Sequence, residues 1–317
     1  MTITEEIIKK YYGENKRYRT LNRFNSEKGM KLYKAAVNCG FTCPNKDGTA
    51  GTGGCIFCSD GSRLFTADSS LSVTRQLEKE EKRIHAKTPD AFLCAYFQTN
   101  TNTYAPTGTL RRLYYEAISF PDVKEISIAT RPDCIPDSCL ELLKEINEQF
   151  PLTVELGLQT VNDKTAKAIN RGYLYPVFEE NFLRLKNAGI RVCVHIIDGL
   201  PGESESDMLL TAQTVGRLKP DAVKIHLLYV TQGTALEKLY RTGLYTPMSF
   251  EEYTHTAVKQ LELLPPETVI ERITGDGDKR TLIAPLWSAD KIRVLGTVDK
   301  IMAEENTYQG ARYEISD

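Results

Sequence analysis

Residues 190–203 read IRVCVHIIDGLPGE. Eight residues rich in branched apolar side chains end in a turn built on Asp198, Gly199, Pro201 and Gly202. Such a run fits a buried strand of a parallel sheet, and a glycine-rich turn behind it fits a loop whose backbone approaches a ligand. The same unit recurs on either side. Candidate strands fall at 31–38 (KLYKAAVN), 92–98 (FLCAYFQ), 125–129 (EISIA), 152–158 (LTVELGL) and 222–228 (AVKIHLL). Segments of helical period lie between them at 71–84, 107–118, 136–149, 176–188 and 203–217, the third placing Leu140, Leu143 and Ile146 on one stripe. Six strand-helix repeats predict an α/β fold with a parallel sheet, either a partial or full barrel or a doubly wound open sheet.

The loops favour the barrel. QTNTNTY, TRPD, QTVND and DGLPGE follow successive candidate strands. In a barrel these polar and glycine-rich loops converge on one rim, whereas a doubly wound sheet uses only the two or three at its switch point. Beyond 230 the rhythm changes to a helix at 249–263, a strand at 268–273 (TVIERI) and a closing helix from about 290. The expected organisation is an N-terminal arm at 1–30, a barrel core of the (β/α)6 type at 31–230 and a C-terminal α/β extension at 231–317 packed on it. No internal repeat or low-complexity tract interrupts this order.

With 317 residues, 41% hydrophobic and 26% charged, the chain has the composition of a globular protein, which argues against disordered and fibrous classes. No apolar run approaches the roughly 18 residues of a membrane span, and the N-terminus lacks the apolar stretch of a signal peptide, so the chain reads as cytoplasmic. The formal charge of -2 excludes a global positive field. Residues 9–34 nevertheless carry a local +7, leaving about -9 on the rest. Tyr11, Tyr12, Tyr18, Phe24 and Tyr33 are interleaved with these charges. One reading is a nucleic-acid arm in which Lys16, Arg17, Arg19 and Arg23 meet phosphates and the aromatics stack on bases. The other is a solvated face whose aromatics anchor the arm to the body.

Four of the eight cysteines lie in CGFTCPNKDGTAGTGGCIFC, residues 39–58. Two metal readings compete there. Cys39, Cys43, Cys55 and Cys58 could close a tetrahedral zinc site, or three of them could hold an iron-sulfur cubane with one iron open to a small molecule. Spacing alone favours zinc. A loop that feeds a barrel with ligand-like loops favours the cluster, and Phe57 before the last cysteine is an aromatic suited to packing on an adenine.

At these residues the chain resembles the radical S-adenosylmethionine (SAM) enzymes. FTCPNKDGTAGTGGCIFC, YFQTNTNTYAP, ATRPDCI, LELLKE, VELGLQTVND, INRG, HIIDGLPGE, VKIHLLYVTQGTALEKLY, LPPETVIERITGD and LIAPLWS resemble, in that order from about 31 to 300, the YtqA/YhcC-type family, relatives of the Elongator catalytic subunit. The resemblance implies a radical SAM barrel with a 4Fe-4S cluster on Cys43, Cys55 and Cys58 and Cys39 outside the triad. It further implies SAM held by Gln98, Thr99 and Asn100, by Thr130, Arg131, Glu155 and Gln159, and on the adenine side by Asp198, Gly199 and Pro201. For Arg131 and Glu155 the competing expectation is a structural pair across neighbouring strands. An external electron donor such as flavodoxin or ferredoxin is implied, and so is a tRNA substrate, the C5 side chain of the wobble uridine being converted from carboxymethylaminomethyl to aminomethyl through a 5'-deoxyadenosyl radical. A small metabolite or peptide substrate is the alternative, and a zinc-binding module without enzymatic activity is the alternative outside this class. GSRLF at 61–65, NRGY at 170–173 in place of NRGH, and Glu271 where a histidine is common depart from the family pattern and bear on substrate handling.

The remaining signals are weaker. His85 and His255 are scattered, whereas His195 and His226 fall near the ends of adjacent strands and point towards one barrel mouth or into the core. Cys94, Cys134, Cys139 and Cys193 read as buried small hydrophobes. Asp276 and Asp278 read as a turn, since the spacing lacks the other ligands of a calcium loop. GLPGE lacks the lysine and hydroxyl of a nucleotide-binding P-loop.

Overall fold

The computed structural model describes residues 3–13, 16–58, 68–275, 277 and 279–314. Among these, seven strands form one parallel sheet: β1 Leu32–Val37, β2 Phe92–Phe97, β3 Val123–Thr130, β4 Leu152–Gln159, β5 Arg191–Asp198, β6 Ala222–Leu227 and β8 Val269–Ile273. A second, antiparallel pair joins β7 Val230–Thr231 to β9 Leu282–Ala284. In the large sheet the strands lie side by side in chain order, with no reversal. A doubly wound sheet requires a reversal at its switch point, so this order excludes that alternative and leaves a curled half-barrel. β1 and β8 are its two free edges.

Each strand alternates. Val154, Leu156 and Leu158 of β4, and Val192, Val194 and Ile196 of β5, face the helices in one continuous apolar core. The intervening positions turn inward and are polar: Lys34, Tyr96, Ser127, Glu155, His195 and Lys224 meet one another across the curl of the sheet. This period of two assigns one face of the sheet to the helical layer and the other to a polar interior.

The outer layer is made of helices Val73–His85, Thr107–Ile118, Asp137–Gln149, Tyr175–Asn187, Glu205–Arg217, Phe250–Leu263 and Lys291–Glu304. Ser72, Ser204, Ser249 and Asp290 cap four of them, and Ser204 and Ser249 form full capping boxes with Asp207 and Glu252. No helix among the described residues is long and apolar enough to cross a membrane.

The segment after 230 enters the barrel. Its strand β8 pairs with β6 as the seventh strand of the large sheet. The N-terminal segment covers the outer edge of β8, where Ile270 N donates to Arg19 O at 2.7 Å. An uncovered edge strand is a liability, and this contact removes it. Tyr12 and Tyr18 are buried in the process, and Gln309, fully buried, receives Arg19 N and donates to the carbonyls of Pro265 and Thr268.

Helix Glu205–Arg217 crosses helix Phe250–Leu263 at Gly216, where an added Cβ would stand 2.5 Å from the Leu263 carbonyl oxygen. Gly216→Ala should therefore lower stability by about 1–2 kcal/mol, because overpacking against backbone outweighs the roughly 1 kcal/mol helix-propensity gain. Chemical denaturation reads the change; an increase in stability would show that the two helices separate freely.

Candidate cofactor site at the barrel mouth

The long loop after β1 is anchored from three directions. Asn100 Nδ2 donates to Phe41 O at 2.8 Å and Thr101 N to Thr42 O at 3.2 Å, tying the approach to Cys43 onto the loop after β2. Asn170 Nδ2 donates to the carbonyls of Thr52 and Gly54, and Asn45 Nδ2 returns a bond to Asn170 O at 2.6 Å. Leu236 N donates to Ile56 O, and Ile56 N to Ile169 O. Ile56 and Phe57 pack in an apolar cluster with Ile169, Leu200, Val230, Leu236, Tyr245 and Ala284. Phe57 is thus held by the small sheet β7–β9.

These anchors gather three thiols. Burial pushes the Cys55 thiol up to about 12; Cys58 and Cys43 beside it act in the same direction, while Arg131 and Arg171 oppose them. Thiolate formation here is therefore coupled to arrival of a cation. Cys39 lies elsewhere. It packs against the main core, and burial, with Glu116 nearby, lifts its thiol to about 12. Asn45 Oδ1, buried beside Cys55, has no hydrogen-bond partner among the described residues. The would-be Cβ atoms of Gly51 and Gly172 stand only 2.3 and 2.8 Å from that oxygen, so both positions require glycine. Three cysteine thiols gathered on one anchored loop are the donor set that an iron-sulfur cluster takes.

Around this loop the backbone is strained. Thr99, Asn100, Gln159 and Asn170 all have φ between 54° and 67°, a left-handed conformation that non-glycine residues adopt at a cost of about 1–3 kcal/mol each. Three of the four directly follow or end β2 and β4. Asn100 Oδ1 accepts from Lys46 Nζ at 3.2 Å, and Gln159 Oε1 accepts from Tyr173 Oη at 3.2 Å. Gln98, Thr99, Asn100 and Gln159 therefore share the rim with the cysteine loop.

Other expected site residues point elsewhere. Thr130 faces the helical layer, its hydroxyl 2.6 Å from that of Thr103. Arg131 is engaged bidentately with Asp133 at 2.9 and 2.7 Å, donates to Arg171 O and lies 4.8 Å from the Tyr173 ring centre. It does not pair with Glu155, so the expectation of a structural pair is corrected. Glu155 sits mid-strand, 1% exposed, and its oxygens accept from Lys34, Lys224, Tyr96 and Ser127 and lie 2.7 Å from His195 Nε2. Those partners occupy its acceptor sites and make Glu155 the hub of the barrel interior. Burial opposes its charge, but Lys224 and Lys34 hold the carboxyl well below the usual range.

The side chain of Asp198 is turned to the helices, where Gln260 Nε2 donates to it at 2.6 Å, so only the backbone of its turn faces the mouth side. Gly199 (φ 79°) backs onto Met248, and Pro201 lines an outer cleft of about 780 Å³ with Met208, Leu244, Met248 and His255.

The basic arm is also committed to the body. Lys16 pairs with Asp299, Arg17 donates to Asn306 Oδ1 and Thr307 O, and Arg19 and Arg23 share Glu27. Tyr12 and Tyr18 are buried, and Leu21 and Phe24 pack against Cys193, Ala222 and Val269 at the end of the barrel away from the cysteines. Tyr12, Tyr18 and Phe24 therefore anchor the arm, whereas Tyr33 stays 46% exposed. The stretch 61–65, Asp276 and Asp278 lie outside the described residues.

Sequence reasoning missed Asn45 and Asn170, which fasten the cysteine loop, Arg171, which donates to the carbonyls of Leu158, Thr160 and Tyr173, and the Lys34–Glu155–Lys224 network. The only trace in the sequence was a single lysine or glutamate inside each of these otherwise apolar strands. Glu155, Cys193 and His195 lie close enough to hold an ion. The two lysines already on Glu155 compete with that use.

A half-barrel with a three-thiol loop at its mouth defines the radical SAM class, and the family models agree. The radical SAM superfamily model matches residues 45–215 and its C-terminal domain model residues 220–304. The chain belongs to the radical SAM superfamily and is an enzyme of that class, whose members use a 4Fe-4S cluster and SAM. Within it, the chain belongs to the YtqA/YhcC family. It is 43% identical to YtqA of Bacillus subtilis, over 96% of this chain and 95% of that protein, and 35% identical to YhcC of Escherichia coli, over 89% and 91%. A tRNA uridine(34) acetyltransferase of Dehalococcoides mccartyi is 30% identical over 48% of this chain and 33% of that protein. The archaeal Elp3 of Methanocaldococcus infernus shares the fold, with a TM-score of 0.67 at 17% identity, over 88% of this chain and 64% of that one.

Two measurements separate scaffold from site. Glu155→Gln should cost about 3–5 kcal/mol, because removing one partner leaves buried lysines uncompensated. A weakened SAM affinity at unchanged melting temperature would instead make Glu155 a cofactor contact. Burial raises Asp198 to about 7. An acid with a raised folded pKa stabilises the fold less as pH climbs from the unfolded value near 4 towards 7, by on the order of 4 kcal/mol in total. Asp198→Asn should accordingly raise the melting temperature relative to wild type at pH 8 and leave it nearly unchanged at pH 4; an equal effect at both would exclude a buried titrating carboxyl.

Proposed function

We propose that Cys43, Cys55 and Cys58 hold the 4Fe-4S cluster and that SAM lies along Gln98, Thr99, Asn100 and Gln159, with its adenine towards Phe57 and the backbone of Gly199 and Pro201. When bound, the cluster and SAM supply a 5'-deoxyadenosyl radical that takes a hydrogen atom from substrate. Arg131 and Arg171 offset the charge of the thiolate loop, Asn45 and Asn170 fix its path, and the polar interior receives the reacting end of the substrate. An external donor such as flavodoxin or ferredoxin supplies the electron.

The substrate in this reading is a tRNA, and the reaction converts the carboxymethylaminomethyl side chain of the wobble uridine to aminomethyl: loss of a hydrogen atom from the carboxymethyl carbon, with the remaining electron passing to the oxidised cluster, would leave an imine that water cleaves to the primary amine and glyoxylate. The observation that carries it is the relationship to a tRNA uridine(34) acetyltransferase over nearly half the chain, together with the Elp3-like fold. The N-terminal arm is not what carries it, because Lys16 and Arg17 are paired with the C-terminal segment and Tyr12 and Tyr18 are buried.

In a strain lacking the protein, mass spectrometry of bulk tRNA nucleosides should show carboxymethylaminomethyluridine accumulating at the expense of its aminomethyl products. No change in wobble-uridine nucleosides would direct the search to a small metabolite or peptide. Anaerobically reconstituted protein should be brown and cleave SAM reductively, and Cys55→Ala should do neither. A colourless protein with one zinc on Cys39, Cys43, Cys55 and Cys58 would overturn the ligand assignment.

A further inference from the structure

Most inward-facing groups of the barrel are paired with one another; Arg191, at the floor, meets Glu271 only as an ion pair, and its Nε and Nη2 make no hydrogen bond among the described residues. Glu155 takes Lys34, Lys224, Tyr96, Ser127 and His195, and Glu271 takes Lys34 at 2.7 Å and Arg191 at 3.5 Å. His226 on β6 does not join them. Its Nε2 is buried and has no hydrogen-bond partner among the described residues. Leaving a buried polar group unpaired costs about 1–3 kcal/mol, and such a group in a native structure calls for an absent partner.

Its position suits a ligand. His226 pairs in register with Ile197 and stands two residues beyond Lys224, at the last inward position of β6 before the mouth. The His195 ring centre is 5.2 Å away, on the floor side. Inward positions on other strands carry the small residues Ala36, Ala129 and Gly157, the last covered by the side chain of Gln159, a rim residue. Burial, followed by His195, Arg272 and Lys224, pushes the imidazole far below its ordinary pKa, and Glu155 is the acidic group opposing them. The ring is therefore neutral, with one N–H to give, in a positive field.

We infer that His226 is a substrate-contacting residue whose Nε2 donates a hydrogen bond to a carboxylate carried into the barrel on the substrate side chain. This rests on the reading of the substrate as carboxymethylaminomethyluridine in tRNA and adds the subsite that selects it. A positive field favours the carboxylate-bearing side chain and disfavours the aminomethyl product, whose ammonium no longer has a carboxylate to balance it, so the same residue favours product release.

The test compares affinities of the reconstituted holoenzyme for three anticodon stem-loops that differ only at the wobble base: carboxymethylaminomethyluridine, aminomethyluridine and uridine. Wild type should prefer the first over the third by about 10-fold, the worth of one charge-assisted hydrogen bond. His226→Ala should lose most of that preference and His226→Gln, which keeps an N–H donor, should retain part. Cluster absorbance, SAM affinity and melting temperature should stay near wild type in both. With the imidazole neutral, the preference should not change between pH 6 and 8. An undiminished preference in His226→Ala overturns the assignment and leaves the substrate reading standing. Loss of SAM binding in that variant overturns it by placing the residue on the cofactor. A wild-type enzyme that neither discriminates among the three nor converts the first overturns both.

Discussion

The carboxylate of Glu155 is the constraint on which the barrel depends. It stands on β4 and is joined by Lys34 of β1, Tyr96 of β2, Ser127 of β3, His195 of β5 and Lys224 of β6. Lys34 continues to Glu271 of β8. One buried anion and its neighbours therefore reach all seven strands. A sheet curled without closing has no hydrogen bonds between its first and last strands to hold its curvature. The Lys34–Glu271 contact spans that gap with charge. Burying such a network has a desolvation cost, and the gain is geometry: each member has a defined partner, so the radius of the curl is specified rather than left to apolar packing.

That arrangement separates the two ends of the barrel. The floor is closed by Leu21 and Phe24, with Arg191 4.4 Å from the Phe24 ring centre. The mouth is built from loops whose backbone is held in left-handed conformations at Thr99, Asn100, Gln159 and Asn170. Strain of this kind persists only where surroundings over-determine it. Here they do, because the loops after β2, β4 and β7 each bond the cysteine loop, and that loop in turn holds them. The ionic layer beneath supplies the rigid base that lets the rim carry this strain.

Much of the fold was legible from periodicity. The strands at 92–97, 152–159, 191–198 and 222–227 match their apolar runs because one face of each is buried under helices whose own stripes are equally regular. The cysteine loop was legible from its spacing and glycines. The inward face was not, because Glu155 and Lys224 interrupt their strands singly, and a lone charge in an apolar run carries no record of the partner it meets across the barrel. The N-terminal arm misled for a related reason. Interleaved lysines and tyrosines suit nucleic acid and an anchored surface segment equally, and only the burial of Tyr12 and Tyr18 decides between them. Asp198 is the same lesson at one residue: its turn belongs to the mouth, but strand alternation directs its side chain to Gln260.

Two of the departures from the family pattern, Tyr173 and Glu271, fall on these two structures. Tyr173, in place of histidine, places its ring between the guanidiniums of Arg131 and Arg171, at 4.8 and 4.5 Å, and its hydroxyl on Gln159 and the Gly157 carbonyl. It thus joins the segment that fastens the cysteine loop to the rim. Glu271, also in place of histidine, completes the ionic layer by answering Lys34 and Arg191. A neutral imidazole there would leave Lys34 with Glu155 alone and Arg191 without an anion, and would make the interior more positive. The charge of the chamber beneath the mouth is therefore set by residue 271 without disturbing the cluster loop, which lets one scaffold hold the same cofactors while adjusting the sign and polarity of what it admits.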